Sequence, residues 1–233
     1  MAQVILIPTV LYEGVTAPLP SYIVDALLSC THLFTENERT ARRYIKTLIK
    51  DFDIDSRVWC SIKEVTPQVA QQFLEAIKSN ATIGVLSEAG CPGVADPGQQ
   101  LAALAQDKGV KVQPLVGPNA ILLALMASGM NGQHFRFVGY LPIDVAERSR
   151  TIKSLETESS TKNCTQIFIE TPYRNNQLLE TLLKTCAPQT RLCIGVDITA
   201  PTESIVTKKV ADWKKNIPQL HKRPAVFLLQ AGG

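Results

Sequence analysis

The chain has 233 residues, of which 45% are hydrophobic and 19% are charged. This length suits one large domain or two smaller ones, and the composition excludes a disordered protein. The formal net charge of +3, which we expect to be spread along the chain, permits an anionic substrate such as RNA without requiring one.

The first predicted elements are short apolar runs that alternate with helical patterns, and each run suits a strand buried on both faces. We expect Ser21 to cap the first helix, while Thr66-Pro67 and Asp96-Pro97 each combine a capping side chain with a proline suited to the first turn. The predicted strands are 4–7, 31–34, 57–60, 82–86 and 110–114, and the predicted helices are 21–30, 40–49, 66–79, 96–108 and 119–128. This alternation predicts a mostly parallel sheet with helices on both faces.

After Gly129 the pattern changes, because later strands follow one another with less helix between them. The predicted strands are 136–140, 165–169, 192–197, 204–209 and 225–230, and the predicted helices are 146–156, 176–185 and 210–216. We expect a mixed sheet with antiparallel pairs. The sequence therefore predicts an N-terminal α/β domain, 1–116, and a C-terminal α/β domain, 117–233. The polar stretch Glu156–Asn163 is predicted to be a mobile loop.

Targeting and membrane signals are absent from the sequence. The apolar residues near its start, Val4 to Ile7, are too few for the core of a signal peptide. The six cysteines form no CxxC pair, so we expect a cytoplasmic protein with free thiols. The longest apolar run, Ala120–Ala127, falls far short of the roughly 20 residues that a membrane span requires.

Common metal and phosphate motifs are also absent. The histidines, His32, His134 and His221, are isolated, and no metal site is predicted. The glycines at 90, 93 and 98 do not have the GxGxxG spacing, and Gln99 stands where a Walker A loop needs lysine.

The stretch LSEAGCPGVADPG, residues 86–98, leaves a predicted strand through small residues and two prolines. Small residues let a ligand approach the backbone, prolines limit the freedom of the loop, and open α/β sheets bind ligands at the ends of parallel strands. A well-capped connection between strand and helix would have the same sequence. PLVGPNA, residues 114–120, repeats the arrangement, and the two loops suggest walls of a cleft for a ligand without phosphates, such as a nucleoside with a small zwitterionic tail.

These two loops resemble those of the tetrapyrrole methylase-like class of S-adenosylmethionine-dependent methyltransferases. IPT at 7–9, TENER at 35–39, VGYLP at 138–142 and IFIETPYR at 167–174 extend the resemblance, which is strongest to the small-subunit ribosomal RNA cytidine 2′-O-methyltransferase branch. It implies two α/β domains, S-adenosylmethionine in the cleft between them, and a homodimer. By position it implies cofactor contacts from Leu11, Ser87, Gly90, Cys91, Pro92, Val94, Asn119, Ala120, Ile169, Glu170, Ile198, Pro224 and Ala225.

The implied chemistry is in-line methyl transfer, in which alignment supplies much of the catalysis and an alcohol nucleophile benefits from a general base. Candidate bases near the shared motifs are Glu36, Glu38 and Asp197. Arg39 and Arg174 are candidate phosphate or orienting groups. Each of these residues has an alternative interpretation as a surface charge or as part of an ion pair at a helix end.

The sequence departs from that branch where the substrate would be handled, notably at Val10–Gly14, and it ends at Gly233 without the helical C-terminal extension of many members. Three hypotheses remain open. The first is RNA ribose methylation, with phosphate contacts from one helix face that carries Arg39, Arg42, Arg43 and Lys46. The second is methylation of a small heterocycle or a protein side chain, favoured by the apolar residues 10–12. The third is a non-catalytic module that binds the cofactor.

Overall fold

A computed structural model describes residues 1–232 and divides into two compact units, Met1–Asn119 and a second that begins at Ala120. Each unit has its own five-stranded sheet with helices packed on it, so the predicted fold of two α/β domains is confirmed. The elements of the first unit are β1 (Gln3–Ile7), α1 (Ile23–Ser29), β2 (His32–Thr35), α2 (Glu38–Leu48), β3 (Val58–Ser61), α3 (Pro67–Lys78), β4 (Thr82–Leu86), α4 (Gly98–Asp107) and β5 (Lys111–Pro114).

The sheet of the first unit is entirely parallel, in the order β3-β2-β4-β1-β5. Successive residues of a strand point to opposite faces, and both faces are buried. Val4 belongs to one core with Phe73 of α3, whereas Ile5 belongs to the other with Leu27 of α1 and Ile45 of α2. Because the strands are parallel, all of them end at the same edge. The loops that follow the adjacent strands β1 and β4 therefore lie side by side.

The second unit has a mixed sheet in the order β6-β7-β10-β8-β9. Its elements are α5 (Ala120–Ser128), β6 (Phe135–Tyr140), α6 (Val145–Lys162), β7 (Thr165–Ile169), α7 (Asn175–Thr185), β8 (Arg191–Val196), β9 (Ser204–Lys209), α8 (Val210–Trp213) and β10 (Ala225–Gln230). β6 and β7 are parallel, and the other pairs are antiparallel. Since β7 and β8 both run opposite to β10, they end at the edge where β10 begins.

The predicted loop over Glu156–Asn163 is wrong, because α6 continues to Lys162. Ser159 extends the buried stripe of Ile152 and Leu155 at helical spacing, and its hydroxyl accepts the backbone N–H of Ala231 at 2.9 Å. A serine can thus occupy a buried helical position when the fold supplies a partner. Asn163 ends the helix in the left-handed conformation at φ 48°.

Three predicted helix starts are also corrected. Pro97, not Asp96, occupies the N-cap position of α4, which begins at Gly98. Tyr22, not Ser21, occupies the N-cap position of α1, without a side-chain capping bond. α2 begins at Glu38 rather than at residue 40, because the side chain of Asn37 accepts the backbone N–H groups of Arg39 and Thr40. The predicted cap of α3 is confirmed, since Thr66 accepts the N–H of Val69 at 3.3 Å.

Candidate functional site

The loop that follows β4 is joined to the loop that follows β1 by two hydrogen bonds from Thr9, and a third bond lies within the loop after β4. Thr9 donates its backbone N–H to the carbonyl of Gly90 at 2.9 Å and its hydroxyl to the carbonyl of Ser87 at 3.3 Å. Ser87, which is buried, donates its hydroxyl to the carbonyl of Gly90 at 3.2 Å. These bonds hold the two loops together at the carboxyl edge of the parallel sheet.

Glycines allow a third loop, the one after β5, to join the other two. A Cβ on Gly90 would lie 3.0 Å from both Leu11 Cδ2 and the carbonyl oxygen of Pro118, and the φ of Gly90 is +74°. A Cβ on Gly117 would lie 2.1 Å from Pro8 Cβ. We expected the small residue at 90 to make room for a ligand, but in the direction of its missing Cβ it makes room for the protein itself.

Asp96 fixes the far end of the loop after β4. Its Oδ2 accepts the N–H of Gly93 at 2.7 Å, and its Oδ1 accepts the N–H of Gly98, the first residue of α4, at 2.6 Å. Cys91 donates its thiol to the carbonyl oxygens of Gly117 and Pro118 at 3.4 Å. The loop is therefore held along its length by backbone partners. Of the other predicted contact residues in this loop, Pro92 is buried and Val94 is exposed.

A cavity of about 170 Å³ opens between the loop after β1, α2 and residues 87–89. Val10, Leu11 and Tyr44 contribute its apolar lining, and Arg43 and Glu13 in the lining form a 2.6 Å ion pair. Tyr44 donates its hydroxyl to the carbonyl of Pro8 at 2.8 Å, which ties α2 to the same edge. The cavity is smaller than the roughly 300 Å³ of the smallest ordinary ligand pockets, so by itself it suits a fragment such as a single ring.

Glu36 is the candidate base that the structure joins directly to the loop after β4. It follows β2, and its Oε1 accepts the N–H of Glu88 at 2.8 Å. Burial raises the pKa of Glu36, and the carboxylates of Asp96 and Glu88 add to the effect. Glu38 instead lies in the first turn of α2, partly exposed and 3.6 Å from Arg42, and Arg39 beside it is exposed.

In the second unit, Glu170 lies buried directly after β7, next to Ile169. Its Oε1 accepts Arg174 Nη2 at 2.6 Å and the N–H of Thr171 at 2.7 Å. Burial by itself would raise the pKa of Glu170, but these donors outweigh burial and the pKa is lowered. Its Oε2 is buried with no hydrogen-bond partner in the protein. A buried carboxylate oxygen without a donor marks a position where a ligand or water donor fits.

Asp197 follows β8 at the same edge of the sheet, with φ +49°. Its Oδ2 accepts Arg223 Nε at 2.8 Å, Arg223 Nη2 at 2.7 Å and the hydroxyl of Thr202 at 2.9 Å. Its backbone N–H donates to the carbonyl of Pro224 at 3.0 Å. One oxygen with three donors is typical of a structural ion pair, so among the candidate bases the geometry favours Glu36.

Three other predicted residues of the second unit, Ile198, Pro224 and Ala225, lie near Asp197. Ile198 is buried, and Ala225, the first residue of β10, pairs with Val196 at the end of β8. The side-chain amide of Asn175 donates to the carbonyl of Arg223 at 2.6 Å and so links the loop before β10 to α7. Asn119 is the last residue of the first unit, and Ala120 is the first of α5.

Sequence reasoning missed Thr9 and Arg223 as residues that hold these loops, and it predicted for Asp96 only the role of a helix cap. A pattern-based signal existed only for Asp96, which precedes a proline at a predicted helix start. Thr9 and Arg223 act through partners 78 and 26 residues away. No group of three or more His, Cys, Asp or Glu side chains within residues 1–232 is placed to hold a metal ion. In the same range, no helix combines the length and apolar character needed to cross a bilayer.

The fold and the site define an α/β protein with a constrained Gly- and Pro-rich loop at the carboxyl edge of a parallel sheet. The pattern of the family described as Tetrapyrrole (Corrin/Porphyrin) Methylases matches residues 22–213. The chain belongs to this family.

Similar proteins include "Ribosomal RNA small subunit methyltransferase I" of Vibrio cholerae, 30% identical over 81% of this chain and 63% of the relative. The protein of the same name from Mesorhizobium japonicum is 29% identical over 83% of this chain and 63% of the relative. The chain thus spans about 63% of the length of these curated relatives.

Solved structures share the fold at low sequence identity. A diphthine synthase superposes with a TM-score of 0.70 at 12% identity, covering 99% of this chain and 90% of the other. The methyltransferase CobJ superposes with a TM-score of 0.65 at 18% identity, covering 99% and 95%. A uroporphyrin-III C-methyltransferase from Thermus thermophilus, complexed with S-adenosyl homocysteine, gives 0.58 at 15% identity, covering 98% and 97%.

Proposed function

We propose that the protein is an S-adenosylmethionine-dependent methyltransferase that methylates a ribose 2′-hydroxyl of small-subunit ribosomal RNA. Family membership and the names of the relatives support this activity and this substrate. The observation that carries the proposal is the loop after β4, which leaves Ser87 to Val94 at the carboxyl edge of the sheet with its shape fixed by backbone bonds.

The residues present fit this cofactor. The loop residues 87–98 contain no lysine or arginine, in keeping with a ligand that lacks phosphates. The unpartnered Oε2 of Glu170 suits a donor such as a hydroxyl or an amino group. In this proposal the first unit binds the cofactor through Leu11, Ser87, Gly90, Cys91, Pro92, Val94 and Asn119. The second unit contributes Ala120, Ile169, Glu170, Ile198, Pro224 and Ala225.

When bound, S-adenosylmethionine supplies a methyl group already activated on a sulfonium. The protein then needs to orient the ribose hydroxyl and accept its proton. We assign the proton to Glu36 Oε2, since the N–H of Glu88 occupies Oε1. The raised pKa makes Glu36 a stronger base than an ordinary glutamate.

The cofactor assignment is tested by calorimetric titration with S-adenosylmethionine and S-adenosylhomocysteine. We expect the parent to bind both and Glu170→Gln to bind each about tenfold or more weakly, because an amide nitrogen in place of Oε2 cannot accept a ligand hydrogen bond. Glu158→Gln is the matched control, since Glu158 lies on α6 and pairs with Arg136 and Lys162. Absence of binding by the folded parent would reject the cofactor.

The substrate and the base are tested by transfer of a labelled methyl group to RNA in small ribosomal subunits, followed by digestion that reveals 2′-O-methylated nucleotides. We expect Glu36→Gln to lower the rate about 100-fold or more while cofactor affinity stays unchanged. Glu38→Gln should transfer at the parent rate. Label that enters only small molecules or proteins would reject RNA as the acceptor.

A second candidate function is methylation of a small planar compound. The cavity lined by Val10, Leu11 and Tyr44 favours it, because its size and apolar lining match a single ring. The same labelling experiment on fractionated cell extract separates this candidate from the first by the fraction that takes up the methyl group.

We also propose that the protein acts as a homodimer in the cytoplasm. The family resemblance supports a dimer. Light scattering after gel filtration tests the dimer. A monomeric mass with intact cofactor binding would reject it.

A further inference from the structure

The positive charge of the chain is concentrated rather than spread as we expected. Residues 208–223 hold six of the 24 lysines and arginines and one of the 21 acids, Asp212. The remainder of the chain therefore carries a net charge of −2 against +3 for the whole. This segment runs from the end of β9 through α8 to the loop before β10, within the second unit. A stretch of this charge is a candidate contact for an anionic polymer.

The last part of this segment is held against the start of α7. Lys222 donates its backbone N–H to the carbonyl of Pro172 at 3.0 Å, and Leu220 donates its own to Asn176 Oδ1 at 2.8 Å. Asn175 donates to the carbonyl of Arg223 at 2.6 Å. These bonds place the sequence His221-Lys222-Arg223 beside the loop between β7 and α7.

An exposed aromatic side chain stands where the two loops meet. Tyr173 is 68% exposed, and its ring lies 6.0 Å from the ring of His221 in an edge-to-face arrangement. Lys222 is exposed beside them. Arg174 is partly exposed and paired with buried Glu170. We call Tyr173, Arg174, His221 and Lys222 the Tyr173 surface. A fixed, exposed aromatic face beside cations is the arrangement that binds an unpaired base and its phosphates.

The basic helix face that the sequence suggested for RNA is a weaker site. Arg42 lies 3.6 Å from Glu38 and stacks over Trp59, and Arg43 pairs with Glu13 at 2.6 Å. Lys46 donates to the carbonyl of Lys50 at 3.1 Å. Acidic partners offset two of its cations, much as Glu170 offsets Arg174 on the Tyr173 surface. The deciding difference is that the helix face presents no comparably exposed aromatic ring, since Trp59 lies under Arg42.

We propose that the Tyr173 surface binds single-stranded RNA, with Tyr173 stacking on an unpaired base and Lys222 contacting a phosphate. This inference rests on the proposed function, because it assumes that the acceptor is RNA. It adds a contact surface on the second unit, beside the edge where Glu170 and Asp197 lie. The surface positions the substrate and takes no part in proton transfer.

Fluorescence anisotropy with a labelled 12-nucleotide single-stranded RNA tests this binding on the full chain. We expect Tyr173→Ala to weaken binding about fivefold or more, and Tyr173→Phe to retain it, because stacking needs the ring and not the hydroxyl. Lys222→Gln should lower the slope of log K against log salt by about 0.7, the value for one phosphate contact on a single strand. Two matched controls should bind RNA as the parent does. Phe135→Ala removes an aromatic ring at the start of β6, which pairs with the start of β7 rather than with its end near Tyr173. Lys184→Gln removes a cation in the last turn of α7, away from Tyr173.

The outcomes separate this surface from the proposed function. Parent-like binding by both Tyr173→Ala and Lys222→Gln would overturn the surface while leaving the methyltransferase proposal intact. If Tyr173→Ala bound single-stranded RNA as tightly as the parent and lost affinity only for duplex RNA, stacking of Tyr173 on an unpaired base would also be overturned. Failure of the parent to bind any RNA while it still binds S-adenosylmethionine would overturn both the surface and RNA as the acceptor. Unchanged cofactor affinity in all variants is the control for folding.

Discussion

The edges at which the strands of the two sheets end are stabilised in different ways. In the first unit, the loops after β1, β4 and β5 pack at van der Waals distance and share backbone hydrogen bonds, so glycine stands at their closest approaches. In the second unit, the corresponding edge is held by two ion pairs, Glu170 with Arg174 and Asp197 with Arg223. Contacts at the first edge fix the shape of the loops, whereas the ion pairs at the second edge fix the positions of charged side chains.

The largest effect should come from replacing a glycine at the packed edge. Gly117→Ala places a Cβ 2.1 Å from Pro8 Cβ, and neither backbone can move without disturbing a strand end. We expect the first unit to lose about 3 kcal/mol of stability. Urea unfolding followed through Trp59 fluorescence, in a Trp213→Phe background, measures this unit alone, because the chain has two tryptophans.

Gln99→Ala is the control for this measurement, because Gln99 is an exposed residue of α4 in the same unit. It should change stability by less than about 0.5 kcal/mol. If Gly117→Ala proved equally mild, the loops would not be as tightly packed as the comparison requires.

A smaller effect should follow from removing charge at the second edge. Asp197→Asn keeps an acceptor oxygen for Arg223 and Thr202 and tolerates the left-handed φ of +49°, so it changes the charge with little change in shape. Since the guanidinium is partly exposed, we expect a loss of about 1–2 kcal/mol. Unfolding followed through Trp213 in a Trp59→Phe background measures it. Glu158→Gln, which removes the more exposed pairs with Arg136 and Lys162, should leave stability unchanged. Equal losses in the two variants would contradict a special role for the buried carboxylate.

The smallest change in stability should come from Glu36, a carboxylate at the edge of the first unit, where the loops are otherwise held by backbone contacts. Burial and the nearby carboxylates of Asp96 and Glu88 raise the pKa of Glu36 in the folded state, so its ionised form is disfavoured there. This penalty is present above the folded pKa and disappears as the pH falls through it towards 4.5, the ordinary value. Glu36→Gln should therefore stabilise the first unit slightly at pH 8, by less than about 1 kcal/mol, and not at pH 4. Thermal unfolding at the two pH values measures the difference, and destabilisation at pH 8 would mean that the carboxylate makes a net favourable contact.

The sequence determined the central strands closely, because they are short apolar runs buried by the sheet itself; β4 and β10 have the predicted bounds, 82–86 and 225–230. Helix bounds depended more on partners. The polar residues 156–162 gave no helical signal by composition, yet the stripe through Ser159 is buried by the sheet and by Ala231. A serine at that position is favourable only because a backbone donor from the end of the chain meets it.

The candidate site shows the same division between what the sequence predicts and what the tertiary structure decides. By itself the sequence determined the two constrained loops, since glycine and proline limit the backbone locally, and their order along the chain was enough to indicate the family. Only the tertiary structure decided how the chemical groups are used. It paired Asp197 with Arg223 and hydrogen-bonded Glu36 to the loop after β4. It also packed Leu11 and Pro118 beside Gly90 and placed the ring of Tyr173 against that of His221. The physical reason is that these partners are 26 to 79 residues apart, and contacts at such separations depend on strand order rather than on local pattern.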